Sequence, residues 1–255
     1  MGILDINELS LSFGGVQVLK ELTIEIEEEA IHSIIGPNGA GKTSLLNSIN
    51  GLYKPQSGKI MYEGRDITQL PCHKIAEIGI GRTFQKGELF QHMSVLENLL
   101  LGYHNQLKSG PFSGGFFWGK GAREEIKARE KAEDIIDFLE MEKWRNHVVS
   151  RIPFGVIKRL ELGRALISYP KVILLDEPTV GMNMEETEDM IRFVLDVHEE
   201  WRGTTIILIE HDMHVVMDIS HKVSVLNFGI KIAEGTTREI QNHPEVRKAY
   251  LGEDQ

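Results

Sequence analysis

The sequence predicts an α/β fold, a largely parallel sheet flanked by helices with a helical stretch set into its middle. Three observations carry this. In the last third, apolar runs at 172–175, 204–209 and 222–226 alternate with helical patterns at 185–198 and 214–220, the strand–helix–strand order of a parallel sheet. Near the start, the apolar run Ile31-His32-Ser33-Ile34-Ile35 enters a glycine-rich turn and then a helix over 42–50, stopped by Gly51. In the middle, Ile126, Ala132, Ile135, Ile136 and Leu139 lie mostly at helical spacing over 122–140.

The remaining elements follow from local pattern. Leu22, Ile24 and Ile26 alternate with Thr23, Glu25 and Glu27, as in a half-buried strand, and residues 59–62 predict another. Glu27, Glu28 and Glu29 read as a solvated turn. Ser94-Val95-Leu96-Glu97 has capping-box spacing ahead of Leu99, Leu100 and Leu101. Residues 109–119 form a Gly-rich aromatic loop, equally suited to packing on the helical part or to meeting a partner.

Composition narrows the function classes. With 255 residues and 41% apolar content, one large domain with an inserted lobe can bury a core. A formal net charge of −10 without a basic run argues against a nucleic-acid partner. The single cysteine, Cys72, allows no internal disulfide and no Cys-based metal cluster, which fits a reducing cytoplasmic setting. His32, His73, His92, His104 and His147 read as surface or packing residues. No run approaches the ~20 apolar residues of a membrane-spanning helix. The first residues lack the pattern of a signal peptide. Any work at a membrane therefore requires integral partners.

Two motifs carry chemistry. Gly36-Pro37-Asn38-Gly39-Ala40-Gly41-Lys42-Thr43 fits G-x-x-x-x-G-K-[ST] between a strand and a helix. Glycines let successive backbone N–H groups point at phosphate oxygens, and the helix N-terminus favours the anion. Lys42 puts a cation on the β and γ phosphates, and Thr43 offers a hydroxyl to Mg²⁺. Further on, the run 172–175 ends in Asp176-Glu177. Asp176 suits Mg²⁺, and Glu177 is placed to polarise an attacking water as general base.

Further segments fall into one order: Arg82-Thr83-Phe84-Gln85, Gly155 ahead of the helical run 158–166, Pro178-Thr179-Val180-Gly181-Met182-Asn183, and His211 in Glu210-His211-Asp212. This order resembles the ATP-binding cassette family over nearly the whole chain. The branch it most resembles is the G-type ATPase subunit of branched-chain amino-acid importers. Residues 82–85, the segment Val95-Leu96-Glu97-Asn98-Leu99, the long middle insert and the ending Ala249-Tyr250-Leu251-Gly252-Glu253 point there.

The resemblance implies one cassette over 1–255: a phosphate-loop core, an antiparallel β subdomain near the N-terminus, and a helical lobe inserted at about 86–165. It implies that ATP sits on residues Gly36 to Thr43 and on Ser44, with Phe13 stacking on adenine. Gln85, a Mg²⁺ ligand together with Thr43 and Asp176, would link the nucleotide site to the lobe and the membrane subunit. His211 would contact the γ-phosphate and orient Glu177 and water. Asn183 stands where many cassettes carry Asp, in a loop touching the opposite subunit. Gly155 matches the second glycine of the Leu-Ser-Gly-Gly-Gln signature, here Ile152-Pro153-Phe154-Gly155-Val156. Pro153 replaces the serine and offers neither a hydroxyl nor an N–H, which implies unequal sites beside an intact partner.

The implied partners are permease subunits, a second cassette (identical or not) and a periplasmic or extracellular substrate-binding protein. The implied location is the cytoplasmic face of the membrane. Lipopolysaccharide export, urea or amide import, and a soluble non-transport ATPase remain as alternatives.

Overall fold

A computed structural model describes residues 2–83, 89–103, 120–201 and 203–251, without the side chains of 120–123, 250 and 251. Gln85 and the aromatic loop 109–119 lie outside the described residues.

Strands β1 (Leu4–Phe13), β2 (Val16–Ile26), β4 (Ser57–Tyr62) and β5 (Arg65–Asp66) form an antiparallel sheet in the order β2-β1-β4-β5. The alternation read around Leu22 holds: Leu22, Ile24 and Ile26 are buried, while Thr23, Glu25 and Glu27 face solvent. The second sheet joins β3 (Ile31–Ile35), β6 (Ile80–Arg82), β7 (Val172–Asp176), β8 (Thr205–Ile209), β9 (Lys222–Asn227) and β10 (Ile230–Gly235). Its order is β10-β9-β3-β8-β7-β6, parallel except for the edge hairpin β9-β10.

Strands β3, β7 and β8 are buried along their full length because apolar layers cover both faces. Val172, Leu174, Ile207 and Ile209 pack with Leu45, Leu46 and Ile49 of α1 (Lys42–Ile49) and with the antiparallel sheet. The alternate residues Ile173, Leu175, Ile206 and Leu208 join a core built from α3 (Val95–Tyr103), α4 (Lys120–Phe138), α5 (Phe154–Leu166) and α6 (Met184–Glu200). Helix α1 is thus held between two sheets, which fixes its amino end.

Most of the stripe predicted over 122–140 faces this second core: Ala132, Ile135, Ile136 and Leu139 are buried. Ile126 is the correction, at 58% exposed. It lies on the outward side of the first half of α4, away from the core cluster. The Ser94–Glu97 capping box forms, with Ser94 N donating to Glu97 Oε2 at 2.7 Å and Glu97 N to Ser94 Oγ at 3.2 Å. The chain ends in α7 (Met213–Ile219), α8 (Thr237–Gln241) and α9 (Pro244–Leu251), between which β9 and β10 complete the sheet, while α2 (Cys72–Glu77) precedes the edge strand β6.

His32 shows how costly a polar side chain in β3 is. It is fully buried, its Nε2 lies 2.9 Å from Ser224 Oγ, and its Nδ1 makes no hydrogen bond. Ser224 in turn donates to Glu234 Oε2 at 3.1 Å, so its oxygen accepts from an Nε2–H tautomer. Burial pushes His32 down from 6.5 to about 4, with Lys222 and Lys231 adding to the shift and Glu234 opposing it. The unfolded chain binds this proton first, so stability is complete above the ordinary histidine range and falls as pH drops through the window toward 4. The expected loss is about 3 kcal/mol across that window. Urea unfolding at neutral and at weakly acid pH measures it, and His32→Gln should flatten the difference.

Candidate functional site

In an open parallel sheet, ligands gather at the carboxyl ends of the strands. Here β3, β8 and β7 are adjacent, so the loops leaving them converge on one edge. With strands about 4.8 Å apart, segments far separated in sequence come within a phosphate's reach of one another.

The loop after β3 is shaped by steric demand. A Cβ on Gly36 would lie 2.1 Å from the Leu226 carbonyl oxygen, so only glycine lets the chain turn under β9 there. Gly41 caps α1 in the left-handed region at φ 102, and a Cβ would meet Val18 O at 2.9 Å. The amide of Gly229 donates to Ala40 O at 3.0 Å and ties the loop to the β9–β10 hairpin. Lys42 is buried, and its Nζ donates to Gly36 O at 2.6 Å and Pro37 O at 3.2 Å. Burial pulls its ammonium below the ordinary lysine range, and the carboxylates Glu177 and Asp176 partly offset this.

At the end of β7, Asp176 turns inward and Glu177 outward. Asp176 Oδ2 accepts from Arg82 Nη2 at 3.2 Å, and Arg82 Nη1 reaches Asn47 Oδ1 of α1 at 2.6 Å. The pair is almost completely buried, with Arg82 5% and Asp176 0% exposed. Burial raises the Asp176 carboxyl above its ordinary value, and Arg82 is the main opposing influence. Glu177 adopts φ 53, rare for a residue with a side chain, while its N–H donates to Ile209 O at 2.9 Å. That reversal takes Glu177 out of the strand's pleat and into the cleft.

His211 meets it there, Nε2 to Glu177 Oε1 at 2.6 Å. Behind them stands Glu210, a residue the sequence reading quoted without giving it a role. It is buried; Oε1 accepts from Thr179 N at 3.0 Å and Thr179 Oγ1 at 2.6 Å, and Oε2 from His211 N at 3.0 Å. Glu210 therefore locks the turn after Glu177 to the turn bearing His211. The signal for it was present, since the apolar run of β8 leads into a carboxylate just as that of β7 does.

A cavity of about 190 Å³ results, lined by Val18, Asn38, Gly39, Ala40, Gly41, Lys42, Thr43, Ser44, Glu177 and His211. The structure thus brings together the phosphate loop, the acid and the histidine read separately from the sequence. Phe13 stands at the β1–β2 turn, 44% exposed, its ring edge-on to Tyr53 at 4.9 Å. Gly155 lies in the first turn of α5 and does not line this cavity. Pro153 is the N-cap of α5, with no side-chain cap hydrogen bond. Asn183 caps α6, its Oδ1 accepting from Glu186 N at 3.0 Å.

A family model described as ABC transporter matches residues 19–180. The chain belongs to the ABC transporter family. It is a nucleotide-binding ATPase cassette, and a second family model, described as branched-chain amino acid ATP-binding cassette transporter, matches residues 231–255. The cassette is 40% identical over 251 residues, 98% of each chain, to the high-affinity branched-chain amino acid transport ATP-binding protein LivG of Salmonella typhimurium. It is 38% identical, over 98% of each chain, to BraF of Pseudomonas aeruginosa, which bears the same description. Its fold matches a crystal structure of a nucleotide-free ATP-binding cassette from an ABC transporter with a TM-score of 0.86 at 32% identity, covering 99% of this chain and 100% of that one. No helix among the described residues is long and apolar enough to cross a membrane.

Proposed function

We propose that this cassette hydrolyses Mg²⁺-ATP to drive import of branched-chain amino acids through permease subunits, paired with a second cassette and served by a substrate-binding protein. It works on the cytoplasmic face of the membrane, held there by the permeases. The observation that carries the hydrolytic reading is the Glu177–His211 contact of 2.6 Å facing the phosphate loop across one cavity. The substrate class rests on the LivG and BraF relatives and on the match over residues 231–255.

The donor set fits both ligands. The glycines leave the loop amides open to phosphate, and Lys42 already bends over that loop. Thr43 lines the cavity, and with Asp176 and Gln85 it would supply hard oxygen donors of the kind Mg²⁺ prefers. When bound, the metal would neutralise charge on the phosphates. Lys42 holds the β and γ phosphates, Glu177 takes the proton of the attacking water, and His211 orients Glu177. Phe13, exposed at its turn, stacks on adenine. Helices α3, α4 and α5 belong to the lobe that Gln85 links to this site, and Gly155 presents the first turn of α5 to ATP held by the opposite cassette.

Lys42→Ala should weaken ATP binding by at least about tenfold, since a hydrogen bond to a charged group is worth about 1.5–3 kcal/mol. Binding of a fluorescent ATP analogue checks this. In proteoliposomes holding the assembled transporter, uptake of labelled leucine, isoleucine and valine should require Lys42. Lys42-dependent uptake of urea in their place would overturn the substrate assignment.

Pro153→Ser should raise turnover at the site that uses this α5. The serine restores a hydroxyl and an N–H at the N-cap of α5, and steady-state phosphate release reads the change. No gain would show that Gly155 and the remaining amides suffice.

A further inference from the structure

The start of α5 and the loop before α6 interlock through their glycines. A Cβ on Gly155 would lie 2.6 Å from Glu186 Oε1, 3.1 Å from its Cδ and 3.2 Å from its Cγ, so the Glu186 side chain lies flat against that glycine. Gly181, at φ 84, is covered in the same way by the Phe154 ring, whose Cε1 would be 3.2 Å from an added Cβ. Glu186 is also half of the α6 capping box: its Oε2 accepts from Asn183 N at 3.1 Å, and its own N–H donates to Asn183 Oδ1. One carboxylate therefore touches the first turn of α5 with one edge and holds the Asn183 backbone with the other.

The contact continues to the reacting end of the cleft. Met182 N donates to Thr179 O at 3.1 Å, Val180 N to Glu177 O at 3.4 Å, and Thr179 is clamped by Glu210. The path from Gly155 to Glu177 consists of one side chain and one tight, hydrogen-bonded turn. Glycine within a helix is unfavourable relative to alanine, so its presence at 155 needs a cause. The Glu186 side chain supplies one.

We propose that Glu186 is a positioning residue for hydrolysis. It couples the amino end of α5 to the 177–183 turn, so that closure of α5 on a nucleotide is felt at Glu177 of the same chain. A Cβ at 155 would displace the Glu186 carboxylate from this contact. The coupling rests on the reading of α5 as the segment that meets the opposite cassette's ATP.

The test is a double-mutant cycle on Mg²⁺-ATP hydrolysis by the transporter isolated from membranes through a tag on this chain. Gly155→Ala should lower kcat about tenfold, Glu186→Ala about threefold, and the double variant should return to the Glu186→Ala level rather than multiply the losses. Glu186→Gln should lose less than Glu186→Ala, because its amide oxygen still accepts from Asn183. In Glu186→Gln, which keeps the acceptor for Asn183 N, KM for ATP and Tm should move little.

A double variant as impaired as Gly155→Ala alone would overturn the coupling, as would a Gly155→Ala chain with wild-type kcat. Should alanine at 155 prevent folding, Glu186→Asp carries the test. Its shorter arm withdraws the carboxylate from both contacts, so a lowered kcat supports the proposal and a wild-type kcat refutes it. Turnover that survives Lys42→Ala would instead refute the ATPase reading beneath it.

Discussion

Glu177→Gln is expected to bind ATP normally and to lose turnover by about 10²–10⁴-fold, the usual contribution of a positioned general base. Glutamine keeps the shape of the side chain, so its amide oxygen can still meet His211 Nε2 where Glu177 Oε1 now lies at 2.6 Å. It cannot take a proton from water. The left-handed backbone at Glu177 and the clamp from Glu210 hold any residue at this position toward the phosphate loop. The variant should therefore trap nucleotide rather than misfold. Steady-state phosphate release together with binding of an ATP analogue separates the two effects. Wild-type turnover would remove Glu177 from the role of base.

Arg82→Met should give the largest stability loss outside the apolar core, about 3–5 kcal/mol, because it leaves a buried carboxylate without its guanidinium partner. Asp176 is fully buried and its carboxyl is already raised by burial, with Arg82 as the main counterweight. The same change frees Asn47 Oδ1 on α1, so the strand that leads toward Gln85 loses its tie to the helix behind the phosphate loop. The sign of the pH dependence follows from the raised carboxyl. A folded-state acid with an elevated pKa takes up its proton before the unfolded chain does, so the deficit of Arg82→Met relative to wild type should shrink as pH falls toward the carboxylate range. Asp176→Asn in the Arg82→Met background should recover part of the loss at neutral pH. Thermal unfolding of wild type, Arg82→Met and the double variant measures it. Equal stability of Arg82→Met and wild type would show that the buried pair carries no net weight.

The fold class and the candidate donor groups were legible in the sequence. Strand periodicity, the phosphate-loop spacing and the Asp176-Glu177 strand end are properties of short windows, in which residue type and spacing fix backbone conformation and donor chemistry. Ser94–Glu97, the buried run 172–175 and the helices from Met184 and Met213 were legible for that reason. Which side chains meet depends on how the elements pack. That Glu177 faces His211, that Arg82 pairs with Asp176, that Glu210 bridges two turns, and that Glu186 lies on Gly155 all depend on the order β3-β8-β7-β6 and on how α5 packs near α6. Ile126, nine residues and so about half a turn round from Ile135, lies off the buried stripe of α4, as its exposure shows. Side-chain contacts between residues 30 to 100 positions apart are set by strand order and layer packing, and no local window contains that information.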